Sequence, residues 1–283
     1  MSRTFYSLLG TGLLAAFQLS AQTPEPPKVL RIVREDVKEG KGSAHEKAEA
    51  RIAQLFAKNK FPTHYLGMTA VSGPTQAWFV EASESFAAVE EGMAAQDKLS
   101  EFDTLDAVDA EYRTGTRIYN AVYRQDLSYH PAQLMEALPK ARFFNIVTVR
   151  VRFGHDQEFA EAGKRILEAL EKSASDQPVA TYQVVSGMPF GTYLLLEPSP
   201  SLKTLDDQPA RSRAMVEAMG ESGARQFFKT AGELIVSEEA VLFAISPKMS
   251  YVSKEFAAGD PGFWTPKPVV SKAKPVEKAT AAK

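Results

Sequence analysis

Val71–Ser72–Gly73 occurs again 114 residues later as Val185–Ser186–Gly187. Each copy lies between two short apolar runs, a pattern typical of two β-strands joined by a tight turn that glycine makes possible. At this spacing segments 37–85 and 151–199 align without a gap and are identical at ten positions. A repeat this long exceeds the period of stacked helical or leucine-rich arrays, so it predicts a duplicated domain.

A second repeated segment, which contains a Ser–Tyr pair, lies at the end of each copy. Leu127–Ser128–Tyr129 is matched by Met249–Ser250–Tyr251, and these segments are 122 residues apart. The difference between the two spacings predicts about eight extra residues in the second unit before its last strand.

Composition excludes several function classes. The chain has 283 residues, a formal net charge of −2, 44% hydrophobic residues and no cysteine. Without cysteine there is no disulfide, thiolate metal site, iron–sulfur cluster or cysteine nucleophile. Lysine and arginine are spread along the chain rather than gathered on one segment, so a nucleic-acid partner is not expected.

The N-terminus has the pattern of a secretory signal peptide, predicted over residues 1–22. Arg3 precedes a short apolar run, Leu8–Phe17, and Leu19–Ser20–Ala21 resembles a cleavage site. The run is shorter than the roughly 20 apolar residues that span a bilayer. We therefore expect an exported protein, periplasmic or secreted, with no integral membrane segment after the signal is removed. Residues 23–27 form a proline-rich spacer.

The first unit is predicted over residues 28–130. A capping-box spacing at Ser43–Glu46 predicts a helix start, and apolar residues then recur at helical intervals. Ser83 or Ser85 is expected to cap a second helix. The element order is β-α-β-β-α-β, which is the ferredoxin-like unit. The predicted elements are strands 28–37, 64–71, 76–82 and 116–126, and helices from 43, from 83–85 and over 99–113.

The second unit is predicted over residues 143–252, after a linker helix at 131–142. Its first strand alternates clearly, and Val147, Val149 and Val151 share the face that is expected to pack on helices. From residue 253 the composition shifts towards Lys, Pro, Ala and Gly. We therefore predict a disordered basic tail over residues 253–283, since such a segment buries too little apolar surface to fold.

The element order, the Gly40 and Gly154 turns and the hairpin followed by a capped helix resemble the dimeric α/β-barrel superfamily, which includes antibiotic-biosynthesis-monooxygenase-like, ferredoxin-like domains. The resemblance covers residues 28–252. It implies an α+β fold in which two tandem ferredoxin-like β-α-β-β-α-β units pair into a pseudo-dimeric α/β barrel, in a monomer or a homodimer. Ligands in this superfamily lie between the sheets or between sheet and helices. Activities range from cofactor-independent oxygenation to haem breakdown, chlorite and peroxide chemistry, and binding without reaction.

The superfamily's haem-degrading pattern is not met. Asn145 and Trp78 are at the wrong places in their strands, and the second helices carry no histidine. We therefore predict no haem and no other cofactor.

Charged residues on the first strands form the main candidate site. Arg34 and Asp36 in the first unit, with Arg150 and Arg152 in the second, have the parity opposite to the packing valines and are expected to point into the barrel. Because an unpaired buried charge is costly, two interpretations stay open. One is a salt-bridge lattice between the sheets; the other is a pocket for an anionic or polar ligand. Asn145, Trp78 and Tyr182 complete the candidate ligand-binding set.

The four histidines show no metal-site spacing. No histidine pair is separated by four residues and none is expected in an Asp/His cluster. His45 and His155 are at helix starts, where a surface role is expected, so no metal site is predicted.

The sequence therefore predicts a small-molecule-binding protein with a cavity in the paired sheets. The alternatives are a cofactor-independent monooxygenase-like enzyme, using Trp78, Asn145 and Arg150 to hold its substrate, and a structural or interaction protein without a pocket.

Overall fold

The computed structural model describes residues 25–265. The predicted signal peptide and residues 266–283 of the predicted tail lie outside this range, so export remains a prediction. Within it, no helix has both the length and the apolarity to cross a membrane. The strands are β1 (Val29–Val37), β2 (Tyr65–Ala70), β3 (Gln76–Ser83), β4 (Arg113–Tyr123), β5 (Phe143–Val151), β6 (Ala180–Ser186), β7 (Thr192–Ser199) and β8 (Ile235–Ile245). The α-helices are α1 (Gly42–Lys58), α2 (Phe86–Gln96), α3 (Ser100–Ala110), α4 (Pro131–Ala137), α5 (Asp156–Lys172), α6 (Gln208–Leu234), α7 (Lys254–Ala258) and α8 (Pro261–Trp264).

The eight strands form one closed barrel in the order β1-β3-β2-β8-β5-β7-β6-β4, and all of their pairings are antiparallel. The fold is therefore α+β, and the barrel closes within one chain. In the first half the strands lie in the order β4-β1-β3-β2, and in the second half the corresponding order is β8-β5-β7-β6. The two halves meet at the β4–β6 and β2–β8 seams.

Strand alternation divides the apolar residues between two layers. Even-numbered positions of β1 and β5, such as Ile32 and Ile146, face the barrel interior and belong to its core. Odd-numbered positions face the helices: Val149 and Val151 pack with Tyr193, and Val147 and Phe159 of α5 pack against them. The predicted packing face of the valines is thus confirmed.

The strand registers show where the two halves differ in length. β1 and β5 begin 114 residues apart, but Val29 pairs with Ser83 whereas Phe143 pairs with Ser199. β7 is therefore displaced by two residues from the position that an ungapped alignment gives it. The turn after Gly187 holds these two extra residues, so the assumption of a gapless repeat is wrong beyond the turn.

The repeated Ser–Tyr segments connect one half of the barrel to the other. Tyr129 pairs with Val179 just before β6, and Tyr251 pairs with Tyr65 at the start of β2. Beside them, the Ser128 hydroxyl accepts a hydrogen bond from the Thr181 amide, and the Ser250 hydroxyl accepts one from the Gly67 amide, each at 2.9 Å. Through these hydrogen bonds, each repeated Ser–Tyr segment fixes the end of one half to the second strand of the other half.

One of the two predicted helix caps is present. Ser85 caps α2 by accepting a hydrogen bond from the Ala88 amide at 3.2 Å. The predicted capping box at Ser43 is wrong, because α1 begins at Gly42 with Lys41 as its N-cap and with no side-chain cap. Gly40, with φ of 72°, turns the chain early enough that Ser43 already lies inside the first turn.

The chain remains folded beyond residue 253. Ser253 caps α7, and Trp264 of α8 is buried in the barrel core cluster. The Trp264 indole donates a hydrogen bond to the Pro139 carbonyl at 2.7 Å, and Arg142 pairs with Asp260. The prediction of disorder is therefore wrong for residues 253–265, because Phe256, Phe263 and Trp264 supply apolar surface that the overall composition of the tail concealed.

Candidate functional site

The barrel interior is filled by side chains. Its core cluster includes buried aromatic and aliphatic residues from both halves, among them Trp78, Tyr119, Phe144, Leu194 and Phe243. The two cavities described below lie instead on the outer face of the barrel, between sheet and helices. The expectation of a ligand cavity between the paired sheets is therefore replaced by one on their helix-covered faces.

Two of the predicted ligand-binding residues belong to this interior core. The Trp78 indole donates to Gln76 Oε1 at 2.9 Å, and its ring is 5.1 Å from that of Phe243. The Tyr182 hydroxyl donates to the Pro27 carbonyl at 2.9 Å. Both polar tips are thus satisfied within the protein, and neither residue lines the two cavities.

The charged residues of the predicted site lie at one end of the barrel. Arg34 pairs with Asp36 at 3.2 Å, and Asp36 pairs in turn with Arg117 at 3.2 Å. Arg150 is exposed, and Arg152, beyond the end of β5, donates to the Glu233 carbonyl at 3.1 Å. Arg34, Asp36 and Arg117 form a short chain of ion pairs at the barrel end rather than a lattice between the sheets. The seven predicted residues therefore do not form one site.

The larger cavity, here called the α5–α6 cavity, has a volume of about 480 Å³ and lies between the second-half strands and helices α5 and α6. Its walls are mostly apolar. Helix α6 reaches around it because the chain changes direction at Gly220, with φ of 70° and ψ of 160°. Residues from both parts of α6, such as Met215 and Phe227, thereby face the same space as Phe159 of α5.

One polar pair enters the α5–α6 cavity from the sheet. Asn145 Nδ2 donates to Glu197 Oε2 at 2.9 Å, and both residues line the cavity with Arg211. Burial raises the pKa of the Glu197 carboxyl, while the Asn145 hydrogen bond and the Arg211 charge oppose that rise. Asn145 is the one predicted residue that the structure places in a cavity.

The smaller cavity, the α1–α3 cavity, has a volume of about 350 Å³ and lies between the first-half strands and helices α1 and α3. Aromatic rings form much of its wall, with Phe56 stacked on Phe61 at 4.2 Å and on Phe102 at 5.8 Å. Tyr65 also lines it, and its buried hydroxyl has no hydrogen-bond partner among the described residues.

A group of ionisable side chains borders this cavity; we call it the buried charge cluster. It comprises Glu35 of β1, His45 and Glu49 of α1, Asp109 of α3 and Arg113 of β4. His45 Nε2 is 2.7 Å from Glu35 Oε2 and 3.6 Å from Asp109 Oδ2. The Arg113 guanidinium contacts Glu35 and lies 3.4 Å from Asp109 Oδ2.

The electrostatics of the buried charge cluster are unusual because acids outnumber bases. Burial raises the pKa of Glu49 well above its usual value, and the neighbouring Glu35 and Asp109 carboxylates add to that rise. Burial likewise raises the pKa of Asp109, to about 6. Such perturbed groups beside a cavity mark a candidate functional site.

The cluster corrects the sequence-based view of the histidines. His45 is 1% exposed and lies among three acids, so the predictions of a surface role and of no Asp/His cluster are wrong. A signal was present in the sequence. His45 and Glu49 are four residues apart on the apolar stripe of α1, and Glu35 has the helix-facing parity of Val33 and Val37.

Comparison with known proteins supports the fold. No protein-family model matches the chain, and no curated protein matches it significantly. An anthrone oxidase-like protein of known structure superposes with a TM-score of 0.52 and 7% identity, over 81% of this chain and 96% of that chain. A candidate monooxygenase from Fusobacterium nucleatum gives a TM-score of 0.50 and 13% identity, over 78% of this chain and 93% of that one. At these identities the likeness is one of fold: the chain has the architecture of dimeric α+β barrel proteins.

Proposed function

We propose that this protein binds a largely apolar small molecule in the α5–α6 cavity. The observation that carries the proposal is the cavity itself, whose volume of about 480 Å³ is within the usual range of about 300–1,000 Å³ for ligand pockets. Apolar walls with a few fixed polar groups are what such pockets present. The Asn145–Glu197 pair and Arg211 supply those polar groups, and they would orient a hydroxyl or carbonyl of the ligand.

A cavity-filling substitution tests this proposal. Ala231 lines the cavity from α6, so the phenyl ring of an Ala231→Phe variant would occupy part of its volume. We expect this variant to bind an apolar fluorophore, such as N-phenylnaphthylamine, at least about tenfold more weakly than the wild type, a loss of about 1.4 kcal/mol. Fluorescence titration measures the difference.

The matched control is Ala210→Phe, which adds the same ring at an exposed position of α6 outside the cavity lining. It should bind the fluorophore as the wild type does. Equal affinity of all three proteins would place the fluorophore elsewhere and contradict the proposed site.

A second candidate function is cofactor-independent oxygenation of an electron-rich substrate in the same cavity. Glu197 favours it, because a buried carboxylate with a raised pKa is suited to remove an acidic C–H proton. The resulting carbanion would reduce O₂. Of the substrate-holding residues predicted for this function, only Asn145 is in the cavity; Trp78 lies in the barrel core and Arg150 is exposed.

An anthrone is a suitable probe of this second function, since one structural neighbour is described as anthrone oxidase-like. Oxidation to the anthraquinone consumes O₂ and releases water. The base must be ionised, so the rate should rise with pH through a pKa higher than that of an exposed glutamate, about 4.3. The Glu197→Gln variant should lose this turnover at least about 100-fold while still binding the fluorophore. An oxygen electrode measures the rate, and undiminished turnover in the variant would remove Glu197 from the reaction.

We also propose that the barrel arose from two tandem ferredoxin-like units that pair as a pseudo-dimer within one chain. The identical strand order of the two halves supports this, as do the equivalent bridges that the repeated Ser–Tyr segments make between the halves. A single-unit relative that builds the same barrel from two chains would strengthen the proposal, whereas a relative with one half replaced by an unrelated fold would weaken it.

A further inference from the structure

The buried charge cluster offers four possible metal ligands from three elements of the first half. One ligand atom each from Glu35, His45, Glu49 and Asp109 can be chosen so that all four lie within 4.8 Å of one another. All four residues are buried, with exposed fractions of 5% or less. With metal–ligand bonds of about 2.0–2.2 Å, the ligand atoms of a tetrahedral metal are about 3.4 Å apart, and trans ligands of an octahedral metal are about 4.2 Å apart. The set is therefore already close to the size of a coordination shell.

Asp109 gives independent evidence that the cluster could accept a further cation. The residue is 0% exposed, yet neither of its carboxylate oxygens has a hydrogen-bond partner among the described residues. Its nearest basic nitrogens, Arg113 Nη1 at 3.4 Å and His45 Nε2 at 3.6 Å, make no hydrogen bond to it. A buried carboxylate without donors is costly and is normally paired or bound to a metal. The Asp109 oxygens lie within the buried charge cluster, so a metal cation bound there would satisfy them.

The charges of the cluster point to the valence of such a cation. Glu35, Glu49 and Asp109 are three potential negative charges, and Arg113 is the one permanent positive charge among residues 25–265 that contacts them, engaging Glu35 and Asp109. Arg113 is also shared with Asp106, whose Oδ1 is 2.6 Å from Nη2. A divalent cation would therefore offset carboxylate charge that Arg113 alone does not balance, and His45 would bind it through a neutral imidazole nitrogen.

The ligand types point to the class of cation. An imidazole nitrogen suits zinc, iron, copper and nickel, whereas carboxylate oxygens are also accepted by manganese. Magnesium and calcium prefer oxygen-only sites. We propose that Glu35, His45, Glu49 and Asp109 bind a divalent first-row transition-metal cation, with Zn²⁺ and Mn²⁺ as the probes of choice. The metal would lie at the edge of the α1–α3 cavity, which Glu35 and Glu49 line.

Metal titration of the full chain tests the site. Protein stripped with a chelator and dialysed should take up one equivalent of Zn²⁺ or Mn²⁺, measured by calorimetry and elemental analysis. The isosteric variants Glu49→Gln and Asp109→Asn remove one ligand charge each. Loss of groups that merely support a ligand costs about 10–100-fold in affinity, so we expect each variant to bind at least about 100-fold more weakly. The metal should also raise the thermal midpoint of the wild type and not of the variants.

Glu81→Gln is the matched control. Glu81 lines the same cavity and is partly buried, with its side chain 16% exposed, but it pairs with Arg31 at 3.6 Å, outside the metal-ligand group. Its affinity should equal that of the wild type. Circular dichroism shows whether the variants fold, and the wild-type titration stands without them. The proposal is overturned if the stripped wild type takes up neither probe, or if Glu81→Gln weakens binding as much as Glu49→Gln does.

Discussion

The Arg113→Met variant is expected to lose about 3–5 kcal/mol of unfolding free energy in chelator-treated protein, because removing one partner of a buried ion pair leaves the other charge uncompensated. Arg113 contacts Glu35, lies 3.4 Å from Asp109 and donates to Asp106, and its side chain is only 12% exposed. Without it, His45 would be the only base left beside Glu35 and Asp109 in the part of the chain that the structure describes. Urea denaturation followed by circular dichroism measures the loss.

Arg117→Met is the matched control on the same strand. Arg117 pairs with Asp36 at 3.2 Å, but its side chain is 56% exposed, and exposed pairs contribute about 0–1 kcal/mol. The double variant Arg113→Met/Glu35→Gln should recover part of the loss, since it removes one of the stranded charges. If Arg113→Met costs no more than Arg117→Met, the acids of the cluster are neutral in the folded protein and the charge argument fails.

The fold can largely be predicted from the sequence, whereas the buried charge cluster cannot. The alternation of Val147, Val149 and Val151 and the helical recurrence from Ala48 to Phe56 report which face of an element is buried. They do not report which elements meet. The buried charge cluster assembles residues of β1, α1, α3 and β4, so it exists only after the first half has folded.

The polar barrel interior that the sequence predicts is wrong for a related reason. Arg34 and Asp36 do have the parity of the inner face, but Leu30 and Ile32 share that parity and lie deeper in the barrel. Aliphatic and aromatic side chains fill the middle, and the charges sit where β1 runs out towards solvent. Residue type at the strand ends therefore indicated a polar interior that the strand centres do not have.

The length of the central hairpin turn is a third feature that the sequence repeat does not predict. Val185–Ser186–Gly187 aligned with Val71–Ser72–Gly73, and both glycines do have positive φ, 90° and 74°. Their surroundings nonetheless differ, since the second turn is longer and Gly187 lies against β4 at the seam between the halves. Identity of a short motif thus preserved the backbone conformation and not the contacts.

That difference predicts unequal effects of the same substitution. A Cβ at Gly187 would lie well inside the contact distance of the Ile118 carbonyl oxygen, and 3.1 Å from the Tyr119 Cα. A positive φ costs a non-glycine residue about 1–2 kcal/mol, and forced overpacking costs a further 1–3 kcal/mol or so. We therefore expect Gly187→Ala to lower the free energy of unfolding by about 2–5 kcal/mol, measured by urea denaturation.

Gly73→Ala supplies the internal control, because its Cβ would meet nothing closer than Val241 Cγ2 at 3.7 Å. Only the backbone cost of about 1–2 kcal/mol applies there. The excess in Gly187→Ala falls on the β4–β6 seam, where Asn120 Nδ2 donates to Ser186 Oγ at 2.9 Å beside a register irregularity. Hydrogen exchange should therefore rise at β4 and β6 in Gly187→Ala and stay unchanged there in Gly73→Ala. Equal losses in the two variants would mean that the seam yields freely, and that the close approach of Gly187 to β4 contributes nothing to closing the barrel.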